Sequence, residues 1–358
     1  MKIAYWSTAC LEPRHEAVSQ EVLKLAAEFA GSWVFSTSRH IWARASLRDR
    51  YFGLHSGLNI ALRLGIPLLE RAFDVNHIYG DLTPWIFHKS LRTKPIVHTV
   101  TQDSDNPLQP LLERCNSLVA QTDATRDRLI SLGVPRARLH LRYPGVDLSH
   151  FRPVNSTVHT NAGVRVLFAT SPRTIEEMQG RGVHLLLDAA KRCPTVTFRL
   201  LYRNWSTGYT SLEPTRAAIL ERELTNVDLI DSVVTDMRPE YHSTHVTLIP
   251  FTKRSGGKEC PNSALESLAS GIPVLVSREC PFSRFVIEHD CGVVFDPTPE
   301  ALESAISEAM LRWSALAVAA RKAAETHFDT RQLPAFYKRL YEAAVAKKSI
   351  PGEALSRA

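Results

Sequence analysis

Short apolar runs alternate with amphipathic segments from the first residues of the chain onward. Residues 16–29 form a predicted helix, because Val18, Val22 and Leu25 recur on one helical face. Around it lie runs whose length and composition are typical of buried strands: 3–6, 32–36, 73–78, 95–100 and 117–120. This alternation predicts βαβ units, in which helices cover both faces of a parallel sheet.

A second series of the same kind starts after a polar run, residues 155–162, which is predicted as a linker. The strands predicted in it are 164–170, 197–202, 226–230, 246–249 and 274–276. The chain therefore divides into two Rossmann-like halves. No Gly-x-Gly-x-x-Gly motif follows any predicted strand, so the main signal for a dinucleotide-dependent oxidoreductase is missing.

Composition places the 358-residue chain among ordinary globular proteins, with 44% hydrophobic and 22% charged residues. No apolar run is long enough for a membrane span, and the first residues do not resemble a signal peptide. The six cysteines show neither CxxC spacing nor histidine partners, so we expect reduced thiols, no metal site and a cytoplasmic protein. The net charge of +6 is dispersed along the chain, which favours small anions or an anionic membrane surface over nucleic acid.

The most informative stretch runs from Gly256 to Ser277. It predicts a loop loosened by glycines, a helix with Asn262 and Ser263 as N-cap residues, and then a buried strand. A helix that begins beyond the end of a parallel strand directs free amides toward an anion, usually a phosphate. Glu266 lies one turn inside this helix, where its carboxylate can accept hydrogen bonds from two ribose hydroxyls.

Residues 133–153 contain Gly145-Val146-Asp147 and Phe151-Arg152-Pro153, and this segment resembles the interdomain signature of retaining glycosyltransferases of family 4. The second half is similar to the same family through RGVHLLLDAAKRCP, through residues 259–277 and through GVVFDPTPEALESAI. The resemblance implies the GT-B fold, an α/β architecture in which two Rossmann-like domains face each other across a cleft. We expect an acceptor-side domain at 1–152, a nucleotide-sugar-binding domain at 153–329, and a last helix at about 330–347 that packs back on the first domain.

The resemblance also implies a reaction: retaining transfer of a sugar from a nucleotide-sugar donor to a sugar, lipid-linked or other acceptor. In this family the leaving phosphate helps to deprotonate the acceptor, and no metal or other cofactor is expected. Basic side chains and helix amides would compensate the leaving diphosphate in this family, so the resemblance requires no metal. We find no Ser-His-Asp set and no carboxylate pair for another mechanism.

Three residues are expected to act in catalysis by this resemblance. Arg181 takes the place of the family's lysine on the diphosphate, and Arg173 stands about two residues later than the family's arginine, in an altered loop. Glu259 lies near the family's first glutamate. The donor-binding residues are then Lys258, Cys260, Pro261, Asn262, Ser263, Ala264 and Glu266. The spacing departs from the family, since lysine occupies position 258. Either a loop shift brings Glu259 to the sugar, or Lys258 serves the phosphate and the sugar is held by another group.

The first half departs further. A histidine is frequent in the family after the fourth strand, but this chain has Thr101, Gln102 and Asp103 there, with His98 three residues earlier. These four residues are the candidates for the acceptor side, although a lone strand histidine is more often a core residue. Residues 38–63 mix arginines with aromatic residues, which suggests a peripheral membrane contact or an ordinary solvated segment.

Two other functions stay open from the sequence. Lys258 and Thr101 are consistent with a nucleotide-sugar-binding partner that has lost transfer. A GT-B epimerase acting on nucleotide sugars is the third reading, and the Gly-Val-Asp and Phe-x-Pro junction disfavours it because that junction is typical of the transferases.

Overall fold

The structure, a computed structural model, describes residues 1–7, 17–38, 43–46, 50–55, 59–81, 89–101, 109–154, 163–202 and 209–346. It divides into a first unit, Met1–Pro144 with the segment from Arg331 onward, and a second unit, Gly145–Thr330. Residues 145–152, which the sequence assigned to the first domain, group with the second. The reason is local: Val146 pairs with Asp329, and the Phe151 ring packs edge-on against Tyr241. The predicted linker 155–162 lies outside the described residues.

The first unit contains a sheet in the order β3-β4-β2-β1-β5-β6-β7-β8, in which seven strands run parallel and only β3 is antiparallel to its neighbour. Its strands are β1 (Ile3–Ser7), β2 (Trp33–Ser38), β3 (Ala43–Ser46), β4 (Tyr51–His55), β5 (Val75–Gly80), β6 (Ile96–Val100), β7 (Ser117–Ala120) and β8 (Leu139–Leu141). Its helices are α1 (Ala17–Ala27), α2 (Asn59–Leu69), α3 (Gln109–Arg114) and α4 (Asp123–Ser131). Both faces of β1 and β5 to β7 are buried, as expected for parallel strands between helical layers.

Strands β3 and β4 fall within the 38–63 stretch, whose arginines and aromatic residues suggest a membrane contact. Tyr51 is 3% exposed and belongs to the hydrophobic core, so this aromatic residue packs within the unit. Phe52, on the other face of the strand, is 37% exposed. Part of the stretch is therefore the edge of the sheet rather than a separate surface element.

The second unit contains a sheet of six parallel strands in the order β11-β10-β9-β12-β13-β14. They are β9 (Arg165–Phe168), β10 (Thr197–Leu201), β11 (Val227–Ile230), β12 (Val246–Ile249), β13 (Val274–Ser277) and β14 (Gly292–Phe295). The helices are α5 (Ile175–Gly180), α6 (Val183–Arg192), α7 (Leu212–Glu221), α8 (Arg238–His242), α9 (Asn262–Ala269), α10 (Ser283–His289), α11 (Pro299–Leu311) and α12 (Trp313–His327). Buried apolar residues of β9, β10, β12, α6 and α11 form its main core.

The last helix, α13 (Leu333–Val345), belongs to the first unit and packs on its sheet. Buried polar groups accompany the apolar contacts there. The hydroxyl of Tyr341 lies 2.6 Å from Nδ1 of His77, and that of Tyr337 lies 3.0 Å from Oγ1 of Thr99. These bonds satisfy polar groups that would otherwise be costly to bury. Within the described ranges, every helix is too short or too polar to cross a lipid bilayer.

Candidate functional site

The second sheet reverses its strand order between two neighbouring strands, β9 and β12. From β9 the chain moves to β10 and β11 on one side, and it then returns to β12 on the other side. The connections leaving the carboxyl ends of β9 and β12 therefore diverge and open a crevice, the usual ligand position in open parallel sheets. The two segments that border this crevice are 169–182 and 250–261.

These segments contact each other closely at glycine positions. Gly182 has a φ of +74°, and a Cβ there would lie 1.8 Å from the carbonyl oxygen of Pro250. A Cβ on Gly256 would lie 2.4 Å from the carbonyl oxygen of Gly180, to which the amide of Thr252 donates at 3.0 Å. The glycines at 256 and 257 therefore allow close packing, and the expectation of a loosened loop is wrong.

Helix α9 begins one residue earlier than the sequence predicted. Its N-cap is Pro261, which offers no side-chain cap, and Asn262 and Ser263 occupy the first helical positions. Oδ1 of Asn262 instead accepts a hydrogen bond of 2.7 Å from Nζ of Lys258. The amide of Ala264 already donates to Pro261, so the amides of Asn262 and Ser263 are those left without an intrahelical acceptor. The helix start thus combines free amides, the positive end of the dipole and a lysine.

Glu266 is half-buried one turn inside α9. Its Oε2 accepts a hydrogen bond of 2.8 Å from the hydroxyl of Tyr241, a residue of α8 that is 0% exposed. Tyr241 is held in turn by the ring of Phe151. The bond joins residues 25 positions apart, so it depends on tertiary packing and could not be predicted from the sequence.

Arg181 follows α5 directly, and its guanidinium extends back along that helix. It donates to Oγ1 of Thr170 and, at 3.2 Å, to Oε2 of Glu177. Its Nε is buried without a hydrogen-bond partner among the described residues. Burial lowers the pKa of Arg181, the nearby charge of Arg173 lowers it further, and Glu177 opposes both effects. An anion placed here would add negative charge beside the Arg181 guanidinium, which pairs with Glu177 and lies near the like charge of Arg173.

Arg173 lies in the loop above β9, which is tied to the segment after β10. The carbonyl of Arg173 accepts a 2.7 Å bond from the amide of Thr210, and its own amide donates to Glu177 at 2.9 Å. Burial raises the pKa of Tyr209, whereas the charge and hydrogen bond of Arg173 lower it. Sequence reasoning missed Tyr209 and Glu177. Only Glu177 left a signal, since it stands four residues before Arg181.

Glu259 and Cys260 are buried, at 1% and 0% exposure, whereas Lys258 is half-buried at the helix start. The carbonyl of Glu259 lies 4.0 Å from Sγ of Cys280. Burial raises the pKa of Cys280 to about 12, and the charge of Glu259 contributes in the same direction. The structure therefore separates the two front residues of this motif, with Lys258 at the opening of α9 and Glu259 beside a buried thiol.

Two of the four acceptor-side candidates lie within the described residues, His98 on β6 and Thr101 directly after it. His98 is 0% exposed, and burial lowers its pKa to about 4, so it is a neutral core histidine. Thr101 follows the carboxyl end of β6, is 4% exposed, and donates its amide to Gly80 at 3.0 Å. Gln102 and Asp103 lie outside the described residues.

Comparison with solved structures identifies the architecture. Sucrose-phosphate synthase from Thermosynechococcus elongatus superposes with a TM-score of 0.74 over 97% of this chain and 100% of that chain, at 15% identity. HepE from Anabaena in complex with UDP-glucose gives a TM-score of 0.75 over 96% of this chain and 100% of that chain, also at 15% identity. The chain has the GT-B fold. The fold class predicted from the sequence is confirmed.

The family match lies within the second unit of this GT-B chain. Residues 165–311, which contain Arg173, Arg181 and the whole of α9, match the family described as glycosyl transferases group 1. The D-inositol 3-phosphate glycosyltransferase of Mycobacteroides abscessus is 22% identical over 296 residues, which is 71% of this chain. The match spans 63% of that relative's length.

Proposed function

We propose that this protein is a retaining glycosyltransferase that moves a sugar from a nucleotide-sugar donor to an acceptor. The observation that carries the proposal is the crevice between β9 and β12. A carboxylate oriented by Tyr241, a helix start without a side-chain cap, and a pair of arginines all occur at its border. A nucleotide sugar needs such groups, because its ribose hydroxyls need a hydrogen-bond acceptor and its diphosphate needs positive charge.

The similar proteins support a nucleotide sugar as the donor. HepE is described in complex with UDP, with UDP and glucose, and with UDP-glucose. The group 1 match covers the residues assigned to the donor here. Together with the junction at residues 145–153, these similarities favour membership of family 4 and a role in glycan, polysaccharide or glycolipid biosynthesis.

In the proposed complex, Glu266 accepts hydrogen bonds from the ribose hydroxyls. Arg181, Arg173 and Lys258 compensate the diphosphate together with the amides of Asn262 and Ser263. This assigns Lys258 to the phosphate, in keeping with its position at the start of α9, and leaves the sugar to other groups. Charge on the leaving diphosphate is then balanced by protein cations, so the proposed reaction is metal-independent.

Retention follows, in this proposal, from attack on the donor face from which the diphosphate leaves. A phosphate oxygen accepts the proton of the acceptor hydroxyl as the new glycosidic bond forms and the bond to the diphosphate breaks. The acceptor, a sugar or a lipid-linked group, is expected near Thr101, Gln102 and Asp103. We propose a cytoplasmic location, with the 38–63 stretch as the candidate for peripheral contact at the inner face of the membrane.

The proposal is tested by incubating the protein with a panel of nucleotide sugars and acceptors, scoring nucleoside diphosphate release and the anomeric configuration of the product. We expect one donor to be consumed with retention, and Glu266→Ala to weaken nucleoside diphosphate binding by about 10- to 100-fold, since losing a charged hydrogen bond costs roughly 1.5–3 kcal/mol. Glu213→Gln is the matched control, because Glu213 is 81% exposed at its side chain on α7.

Other outcomes of the same panel would contradict the proposal. Donor binding with neither hydrolysis nor transfer would favour a non-catalytic binding partner. Conversion of one nucleotide sugar into another would favour an epimerase. An inverted product would exclude the retaining mechanism while leaving glycosyl transfer in place.

A further inference from the structure

A second cationic cavity lies in the first unit, at the amino ends of β6 and β7. Its volume is about 280 Å³, and the described residues that line it are Arg92, Thr93, Lys94, Pro95, Ile96, Arg114, Asn116 and Ala344. In a parallel sheet the amino ends lie at the edge opposite the carboxyl ends, where Thr101 follows β6. The cavity is therefore separate from the candidate acceptor side and from the crevice in the second unit.

The wall of the cavity is built by bonds that fix its backbone. Oε1 of Glu70, a residue that is 0% exposed, accepts from the amides of Arg92 and Thr93 at 2.9 and 3.0 Å. Oδ1 of Asn116 accepts from the amide of Ile96 at 2.9 Å, and the guanidinium of Arg114 donates to the carbonyl of Leu91. The turn before β6 is thus held from two sides, which keeps the cavity open at a defined shape.

The charge of the cavity is of one sign. Three cationic side chains line it, and the described lining residues include no carboxylate. Neither Arg92 nor Lys94 forms an ion pair with a described residue. Arg92 is exposed, and Lys94 is half-buried. The carboxylate of Glu70 lies behind the turn, engaged by the two backbone amides and by Nδ2 of Asn76. These hydrogen bonds hold the wall of the cavity in place, and the carboxylate does not pair with the lining cations.

We propose that this cavity is an accessory site for a phosphate group, separate from the nucleotide-sugar site. Arginine and lysine together suit phosphate, because the guanidinium bonds two oxygens and the ammonium adds a point charge. The volume lies near the lower limit of small-ligand pockets, which fits a phosphate with a short attachment better than a whole nucleotide. Two sources supply this chemistry: the headgroup of an anionic phospholipid and a free phosphate ester.

The test compares Arg92→Gln/Lys94→Gln with Lys24→Gln/Arg136→Gln, which removes the same charge from exposed positions of the same unit. Arg114 is left intact because it supports the turn. In one arm, inorganic pyrophosphate is titrated by calorimetry. In the other, the protein is sedimented with phosphatidylcholine vesicles, with and without phosphatidylglycerol. Melting temperatures confirm that each variant is folded.

We expect the cavity variant to lose roughly tenfold or more of the affinity in at least one arm, and the control variant to stay near wild type. A loss confined to the vesicle arm identifies a lipid headgroup, and a loss in the pyrophosphate arm identifies a soluble phosphate. Arg181→Ala should keep this binding, which separates the inference from the proposed donor site. Equal behaviour of the cavity and control variants in both arms, or loss of all pyrophosphate binding in Arg181→Ala, would overturn it.

Discussion

The hydroxyl of Tyr241 donates a 2.8 Å hydrogen bond to Oε2 of Glu266, joining helix α8 to helix α9 beneath the crevice. Tyr241 is fully buried, so the bond is shielded from water and orients the carboxylate. We infer that Tyr241 is a positioning residue for the ribose contact. It acts through Glu266 and touches no substrate itself.

Removing this hydroxyl should weaken nucleoside diphosphate binding without unfolding the second unit. For Tyr241→Phe we expect a loss of about tenfold, since a hydrogen bond to a charged group contributes roughly 1.5–3 kcal/mol and the ring contact with Phe151 remains. The control is Tyr202→Phe, whose buried hydroxyl bonds Thr215 at 3.1 Å in the same unit. Calorimetry measures nucleoside diphosphate affinity for both variants. An equal loss of affinity in the two would show that the buried hydroxyls act only through the stability of the unit.

Gly182 should be essential for the shape of the crevice. Gly182→Ala places a Cβ 1.8 Å from the oxygen of Pro250 at a φ of +74°, so overlap and backbone strain add. We expect a loss of roughly 3 kcal/mol or more in the free energy of unfolding. Gly133→Ala is the control, because Gly133 has a φ of +86° and no atom within 4 Å of the added Cβ. It should cost only the strain, about 1–2 kcal/mol.

Urea unfolding of both variants separates the two contributions. If Gly182→Ala costs no more than Gly133→Ala, the carbonyl of Pro250 moves aside easily, and the close contact between the two border segments is not needed for stability.

Strands β1, β2, β5 to β7 and β9 to β13 could be predicted from sequence, because short apolar runs between amphipathic helices have few other interpretations. Strands β3, β4, β8 and β14 were not predicted. For β4 the reason is that residues 38–63 are rich in arginine, which hides the buried position of Tyr51. The N-cap of α9 was misassigned because Asn262 is a strong capping residue in isolation, whereas its oxygen is bonded by Lys258. The first failure reflects tertiary packing, whereas the second reflects a local contact between residues four positions apart.

Stability of the first unit should fall in mild acid, partly through His140 on β8. This histidine is 1% exposed, and burial lowers its pKa to about 4 from the ordinary 6.5. Between these values the unfolded chain binds a proton that the folded chain does not, so stability decreases as the pH falls through this window. His140 should account for a loss of about 2 kcal/mol between about pH 7 and about pH 5.

The variant His140→Leu should flatten this pH dependence in part, because burial also lowers the pKa of His98 and of His77 in the same unit. Melting temperatures across this pH range give the measurement. A slope for His140→Leu equal to that of wild type would mean that His140 titrates normally.

Arg181 gives the sharpest test of the catalytic proposal. Its guanidinium is held by Thr170 and Glu177, lies close to the like charge of Arg173, and has a buried Nε with no partner among the described residues. The guanidinium already lies beside the carboxylate of Glu177, and the negative charge of a bound diphosphate would stabilise it further. That stabilisation should increase as the diphosphate departs, because charge on the leaving oxygen grows in the transition state.

Arg181→Ala should therefore lower kcat more than it weakens donor binding, with a drop on the order of 100-fold or more. Arg181→Lys should recover much of the rate, since a lysine supplies the charge, whereas Arg173→Lys should recover less if that contact is bidentate. Arg192→Ala is the control, because Arg192 pairs with Glu300 and Glu303 in a solvent-exposed cluster of the same unit. If Arg181→Ala turns over at the wild-type rate with saturating donor, the amides of α9 and Lys258 hold the diphosphate without it.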